Sequence, residues 1–344
     1  MRITAVTCVK NEGPFLLEWI AYNRLIGVTG HLFYSNDCTD GTDDLLDALA
    51  RHGIVQHLPN PARGRNLQME ALADAARHPI VREADWVWIA DVDEFLNIHA
   101  GDHTIPALIG ACDAPQAISV TFQFFANAGA EQYVDKPVTE QFVWTHNPDI
   151  WCGETAIEVK TLVRRDFPLH YYGAHRPFLA SDLSETQRPV WTDGSGRPVP
   201  HRFLVAANAR RIRRYPAAGA RKHATLNHYA LRSLDSFMVK IDRGDVNREH
   251  RSFDDTYWRE RNDQSWQDQS ILRHAPALRS EIKHLKTLSE ISSLHDICVQ
   301  QHRNRHDHLM KDPGLRAARA QLRDAPTISP AEAELIQTLG LSTG

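Results

Sequence analysis

The sequence predicts an α/β protein: a mostly parallel, twisted sheet with helices on both faces, followed by a mainly helical C-terminal region. Three observations predict it. Through the first hundred residues, short β-branched apolar runs alternate with longer stretches of helical period, which is the pattern of βαβ units. Pro, Asp and Thr open those helical stretches and Gly closes them, as helix ends require. Beyond Leu231 helical spacing dominates.

ITAVTCV (Ile3 to Val9) reads as a buried strand, and Gly13-Pro14 opens the helix FLLEWIAYNRLIG, with Pro14 in the first turn and Gly27 at the stop. HLFYSN (His31 to Asn36) is a second strand. Asp40 and Thr42 cap a helix carrying Leu45, Leu46 and Leu49 on one face and closing at Gly53. IVQHL (Ile54 to Leu58) is a third strand, GRNLQMEALADAARH a third helix and DWVWIAD (Asp85 to Asp91) a fourth strand. Between Ala117 and Arg165 two strand-like pieces, AISVTFQFFAN and AIEVKTLVRR, flank the polar loop THNPDIWCGE. Ser181 to Arg202, rich in Pro, Gly, Ser and Thr, reads as a long loop. Ser233 caps LDSFMVKIDRG, whose stripe is Leu234, Phe237, Met238 and Ile241, and Ser329 to Glu332 has capping-box spacing before a last helix ending at Gly340. The division expected is a sheet domain over 1–230 and a helical extension over 231–344.

Composition narrows the function. The 344 residues are 42% hydrophobic and 24% charged, with a formal net charge of -4, which argues against a nucleic-acid binder working through a basic field. RITAVTCV is too short and too soon interrupted for a signal-peptide core. Cys8, Cys38, Cys112, Cys152 and Cys298 form no C-x-x-C pair, so neither a disulfide framework nor a structural zinc site is expected, and a reducing cytoplasm fits.

The chemistry concentrates in ADWVWIADVDEFL, Ala84 to Leu96, where an apolar strand runs into Asp91, Asp93 and Glu94. Charges beside an apolar run are costly to bury. In an extended segment residues two apart point to one side, so Asp91 and Asp93 are expected to present their carboxylates together as a hard-oxygen site for Mg²⁺ or Mn²⁺. The plainer alternative is that these acids solubilise a strand end. An EF-hand loop is excluded, because no Gly and distal Glu follow at the required spacing.

Together, TCVKNEGPFLLEWIAYNRLIGV, FYSNDCTDGT and WIADVDEFL resemble the successive signatures of GT-A glycosyltransferases of the family-2 type, and more closely a family-2/family-92-like branch whose metal motif reads D-x-D-E-F. VKTLVRR and LNHYALRSLDSFMVKIDRG resemble later segments of that branch. The resemblance implies a GT-A, Rossmann-like fold and a nucleotide-sugar donor, usually uridine-linked. It places Lys10, Asn11 and Glu12 on the nucleotide side and Asp37 at the uracil or ribose. It also puts Asp91 at the ribose or a metal-bound water, and Asp93 on the Mn²⁺ or Mg²⁺ ion that bridges the phosphates. Turn chemistry accounts equally well for Asn11 and Asp37.

Lys160 and His228 are candidate helpers at the diphosphate, and His228 is also the candidate third protein ligand of the metal, with His175 as its rival. An inverting transfer needs a carboxylate base; Asp149 and Glu154, in HNPDIWCGE, are the candidates, and Trp151 beside them is placed to stack on a sugar or to anchor the loop. The basic run Arg210 to His223 reads first as a solvated face, then as a contact for an anionic acceptor or a peripheral contact with an anionic membrane. The expected activity is metal-dependent transfer of a hexose to a hydroxyl of a glycan or lipid, by a cytoplasmic enzyme. A non-catalytic sugar-nucleotide binder and a metal-dependent nucleotidyl or phosphoryl transferase stay open as alternatives.

Overall fold

The structure, a computed structural model, describes residues 1–64, 66–148, 159–181, 183–205, 218–244, 255–328 and 330–340. Its first half alternates as the sequence predicts: β1 (Ile3–Val9), α1 (Gly13–Leu25), β2 (Gly30–Ser35), α2 (Thr42–Arg51), β3 (Gln56–Pro59), α3 (Leu67–Ala75), the short α4 (Pro79–Arg82) and β4 (Trp86–Ile89). The N-cap of α2 is Gly41, in the left-handed conformation and with no side-chain cap, so Asp40 and Thr42 do not cap the helix as expected; Asp40 acts from one residue earlier. Its carboxylate accepts the N–H of Thr42 at 2.9 Å and that of Gly13 at 3.2 Å, joining the starts of α2 and α1.

Next come β5 (Glu94–Ile98), α5 (Ile105–Ala111), β6 (Ala117–Phe124), α6 (Val138–Gln141), β7 (Trp144–Thr145), β8 (Val159–Arg164), β9 (Leu169–Tyr172), β10 (Pro177–Leu179), β11 (Trp191–Asp193), α7 (Arg202–Val205) and β12 (Ala224–His228). The segment expected as a loop over 181–202 therefore holds a strand. Trp191 is buried there and β11 pairs with β6, because its apolar ring stabilises the chain against the sheet. The C-terminal elements are α8 (Leu234–Arg243), α9 (Asp255–Arg259), β13 (Trp266–Gln267), α10 (Ala275–Thr287), α11 (Ile291–Leu309), α12 (Pro313–Arg323) and α13 (Pro330–Thr338).

The main sheet runs β3-β2-β1-β4-β8-β6-β12-β5, with β11 beside β6. β3, β2, β1 and β4 are parallel. β8 is antiparallel to both β4 and β6, and β12 is parallel to β6 and antiparallel to β5. The carboxyl ends of β1, β2, β4, β6 and β12 thus point the same way, and in such sheets ligands gather at that edge. α1 is buried from Gly13 to Asn23. Its apolar side chains share one core with Ile271, Leu278, Leu285, Ile291 and Cys298 of the C-terminal part, so the helix lies between the sheet and α10–α11. No helix among the described residues is long and apolar enough to cross a membrane.

Candidate active site at the carboxyl edge of the sheet

The chain turns sharply between β4 and β5. The Glu94 N–H donates to the Asp91 carbonyl at 3.0 Å and the Asp91 N–H donates to the Glu94 carboxylate at 2.8 Å. This is a turn rather than an extended segment, so Asp91 and Asp93 do not stand side by side as the two-residue period suggests. Asp91 pairs with Lys160 at 3.0 Å, whereas Asp93 pairs with Lys240 at 3.0 Å.

Lys160, from β8, is completely buried, and its ammonium also meets the buried Glu94 carboxylate at 3.2 Å. Burial pushes the Glu94 carboxyl well above the ordinary range despite Lys160. Burial alone would depress the lysine, but Asp91 and Glu94 together raise it. Lys160 is therefore committed to the turn, neutralising acids that the interior would otherwise reject.

Strand register brings in the histidine. His228, the last residue of β12, lies opposite Glu94 in the antiparallel β12–β5 pair, and the next N–H, of Tyr229, donates to the Asp93 carbonyl at 2.8 Å. Its Nε2 is consequently 3.4 Å from Asp93 Oδ2. Burial lowers the His228 pKa against the pull of Asp93, which favours the neutral, ligating imidazole. Its Nδ1 is buried with no hydrogen-bond partner among the described residues. Burial would raise the Asp93 carboxyl, but Lys240 and His228 hold it well below the usual carboxylate range. The Lys240 ammonium also donates to the Ala230 carbonyl at 2.9 Å.

Asp93, Glu94 and His228 each offer a ligand atom within 4.8 Å of the others. Glu94 is already bound by Lys160 and the Asp91 amide, so Asp93 and His228 are the pair that fits a divalent ion, a carboxylate oxygen and an imidazole nitrogen that suit Mn²⁺ better than Mg²⁺. The rival His175 packs against Phe122, as His228 does, with its Nδ1 3.3 Å from the Val159 carbonyl.

The loop after β1 faces the same edge. Glu12 is gripped by Arg232 at 2.8 Å and by Arg243, which also donates to the Lys10 carbonyl at 2.9 Å. Burial would raise the Glu12 carboxyl, but Arg232 and Arg243 hold it low. Asn11 (φ 52) accepts the Thr39 N–H at 2.7 Å and so ties this loop to the one after β2. In that second loop Asp37 (φ 43) is exposed. The preceding Asn36 is buried, and neither its side-chain nitrogen nor its oxygen finds a partner among the described residues. Asp149, Trp151 and Glu154 lie outside the described residues, as does the part of the basic run before Ala218. At the end of that run, Arg221 donates to the carbonyls of Pro148 (2.6 Å) and Phe122 (2.9 Å), anchoring it to the sheet.

Sequence reasoning missed the cations of this edge. Lys240 and Arg243 sit three apart on α8, a spacing that puts them on one face, while Phe237 and Met238 of the same helix pack with Trp258 and Leu322. The signal was their position in LDSFMVKIDRG, polar residues between the apolar ones of a single capped helix. Arg232, in the left-handed conformation (φ 56), stacks its guanidinium 3.5 Å from the Phe15 ring centre.

Residues 4–172 match the family model described as Glycosyltransferase family 92. A glycosyltransferase family 92 protein of Oryza sativa subsp. japonica is 30% identical over 101 residues, 29% of this chain and 16% of that protein. One from Ricinus communis is 31% identical over 97 residues, 28% of this chain and 17% of that protein. The match therefore spans about a sixth of the length of these relatives. Among solved structures, S. aureus TarS 1–349 in complex with UDP-GlcNAc is similar at 13% identity and a TM-score of 0.36, over 100% of this chain and 93% of that one. Glucosyl-3-phosphoglycerate synthase from Mycobacterium tuberculosis, in complex with Mn²⁺, UDP and glucosyl-3-phosphoglycerate, is similar at 18% identity and a TM-score of 0.28, over 48% and 58%. These two overlays are too loose to place any residue. The parallel β3-β2-β1-β4 half of the sheet and the acidic turn after β4 lie within residues 4–172, so this half of the chain is similar to the glycosyltransferase family 92 domain.

Proposed function

We propose that the protein transfers a hexose from a nucleoside diphosphate sugar, uridine-linked, to a hydroxyl of a glycan or lipid, with inversion at the anomeric carbon. The observation that supports this most is the meeting of Asp93 and His228 beside the cations Lys240 and Arg243 at the carboxyl edge of the sheet. Mn²⁺ or Mg²⁺ held by Asp93 and His228 would screen the charge that grows on the leaving diphosphate. Lys240, Arg232 and Arg243 add positive charge on the same side, where it acts most strongly as the sugar–phosphate bond breaks.

The loops after β1 and β2 form the nucleoside side of this reading. The buried amide of Asn36 offers an unused donor and acceptor there, the complement a nucleobase edge requires, and Asp37 stands at its rim. Lys160 acts through the turn, holding Asp91 and Glu94. Asp149 or Glu154 is the proposed base that takes the acceptor proton, with Trp151 stacking on the acceptor. Of the helices after residue 231, α8 faces the diphosphate through Lys240 and Arg243, while α10 and α11 cover α1. A cytoplasmic location, with the basic run near a membrane surface, belongs to the same proposal.

A thermal-shift series with UDP, GDP and their sugars, each with and without Mn²⁺, tests it. The expected result is stabilisation by uridine diphosphates that requires Mn²⁺, about 2.7 kcal/mol at a hundredfold excess over Kd. Stabilisation by no nucleotide, or cleavage of nucleoside triphosphates with indifference to nucleotide sugars, contradicts the proposal.

A further inference from the structure

We propose that Lys240 is a built-in counter-ion that competes with the divalent cation for Asp93 and leaves that carboxylate only when the donor diphosphate draws it away. This rests on the reading of Asp93 and His228 as metal ligands given above. Both contacts converge on one oxygen: Asp93 Oδ2 accepts the Lys240 ammonium at 3.0 Å and faces His228 Nε2 at 3.4 Å. A cation ligated by that oxygen and an ammonium bonded to it would be immediate neighbours of like charge, in a place where Asp93 is only 9% exposed and water screens little.

The ammonium also explains how the acid is tolerated without a metal. A buried carboxylate needs a partner, and among the described residues Lys240 is the cation bonded to Asp93. Its departure has a destination. The pocket beside it is lined by Glu12, Arg232, Arg243 and His302, and buried guanidinium nitrogens of both Arg232 and Arg243 have no hydrogen-bond partner among the described residues. With two guanidiniums against the single carboxylate of Glu12, the pocket keeps a positive balance that favours an anion. A long, unbranched lysine stem near the end of α8, three residues before its last position, Arg243, can swing between the two acceptors. Metal and diphosphate would then bind cooperatively, each removing an obstacle to the other.

The test is direct titration of the nucleotide-free full chain with Mn²⁺, followed by electron paramagnetic resonance of the free ion. Lys240→Met is expected to bind Mn²⁺ at least tenfold more tightly than the wild type, Lys240→Arg is expected to stay near the wild type, and adding Asp93→Asn should abolish the gain. Melting curves establish that each variant is folded. Should Lys240→Met fail to fold, Lys240→Gln, whose amide can still reach the Ala230 carbonyl, replaces it. Equal or weaker Mn²⁺ affinity in the folded variant overturns this inference and leaves the metal reading standing. Absence of Mn²⁺ binding in every chain overturns both.

Discussion

Asp91 and Asp93 are separated by one residue, yet they meet different lysines because the backbone turns between them. Asp93 keeps a histidine and the Lys240 ammonium for partners, whereas Asp91 and Glu94 are tied down by the fully buried Lys160. Replacing Lys160 with Met would leave two acids in the turn without their cation. Removing one partner of a buried pair costs about 3–5 kcal/mol, so urea denaturation of Lys160→Met should show a loss near the lower end, since Asp91 is partly exposed. Burial already raises the Glu94 carboxyl, so folding favours its protonated form; the deficit should shrink as pH falls and widen as pH rises. A variant of unchanged stability that has lost nucleotide affinity would instead mark Lys160 as a diphosphate contact.

At the scale of elements, α1 shows what a helix buried on nearly every side requires. Such a helix needs cover on both faces. Here the sheet supplies one and α10–α11 the other. At Gly13, an added Cβ would meet the Cys298 Sγ of α11 first and lie 2.7 Å from its Cβ. Gly13→Ala is therefore expected to destabilise by about 1–3 kcal/mol through overpacking, and Cys298→Ala in the same chain should restore part of the loss. Thermal melts of the two single variants and the double variant measure this; a double variant as unstable as the sum of the singles would refute the contact.

These elements also show what the sequence could convey. Pro14, Gly27, Asp40 and Gly53 mark helix ends within a few residues of where they fall, because caps and breakers act locally. That α1 must be buried all round is legible in FLLEWIAYN. That its second cover comes from helices some 260 residues later is not, because tertiary packing leaves no local mark. In the same way the buried Trp191 converts a Pro- and Gly-rich stretch into the site of a short strand.

Across the whole molecule, the site is made by topology. Asp93 follows β4 and His228 ends β12, and they meet because β12 lies antiparallel to β5, the strand the acidic turn feeds. The acids and the histidine were legible as residue types, through the resemblance of WIADVDEFL and LNHY to known signatures. Their register was not, since antiparallel pairing across more than a hundred residues leaves no periodic trace. Lys240 escaped notice for a related reason: a lysine on an amphipathic helix reads as solvent-facing until the fold turns that face onto a carboxylate.

The most direct test of the central proposal, that Asp93 holds the divalent cation at the leaving diphosphate, is the initial rate of UDP release from a panel of UDP-sugars by the wild type and by Asp93→Asn, with Mn²⁺ present. The expected result is sugar-dependent release by the wild type and a fall of about 10²–10³ in the variant, with the fold intact by circular dichroism. Release by Asp93→Asn at the wild-type rate would contradict it.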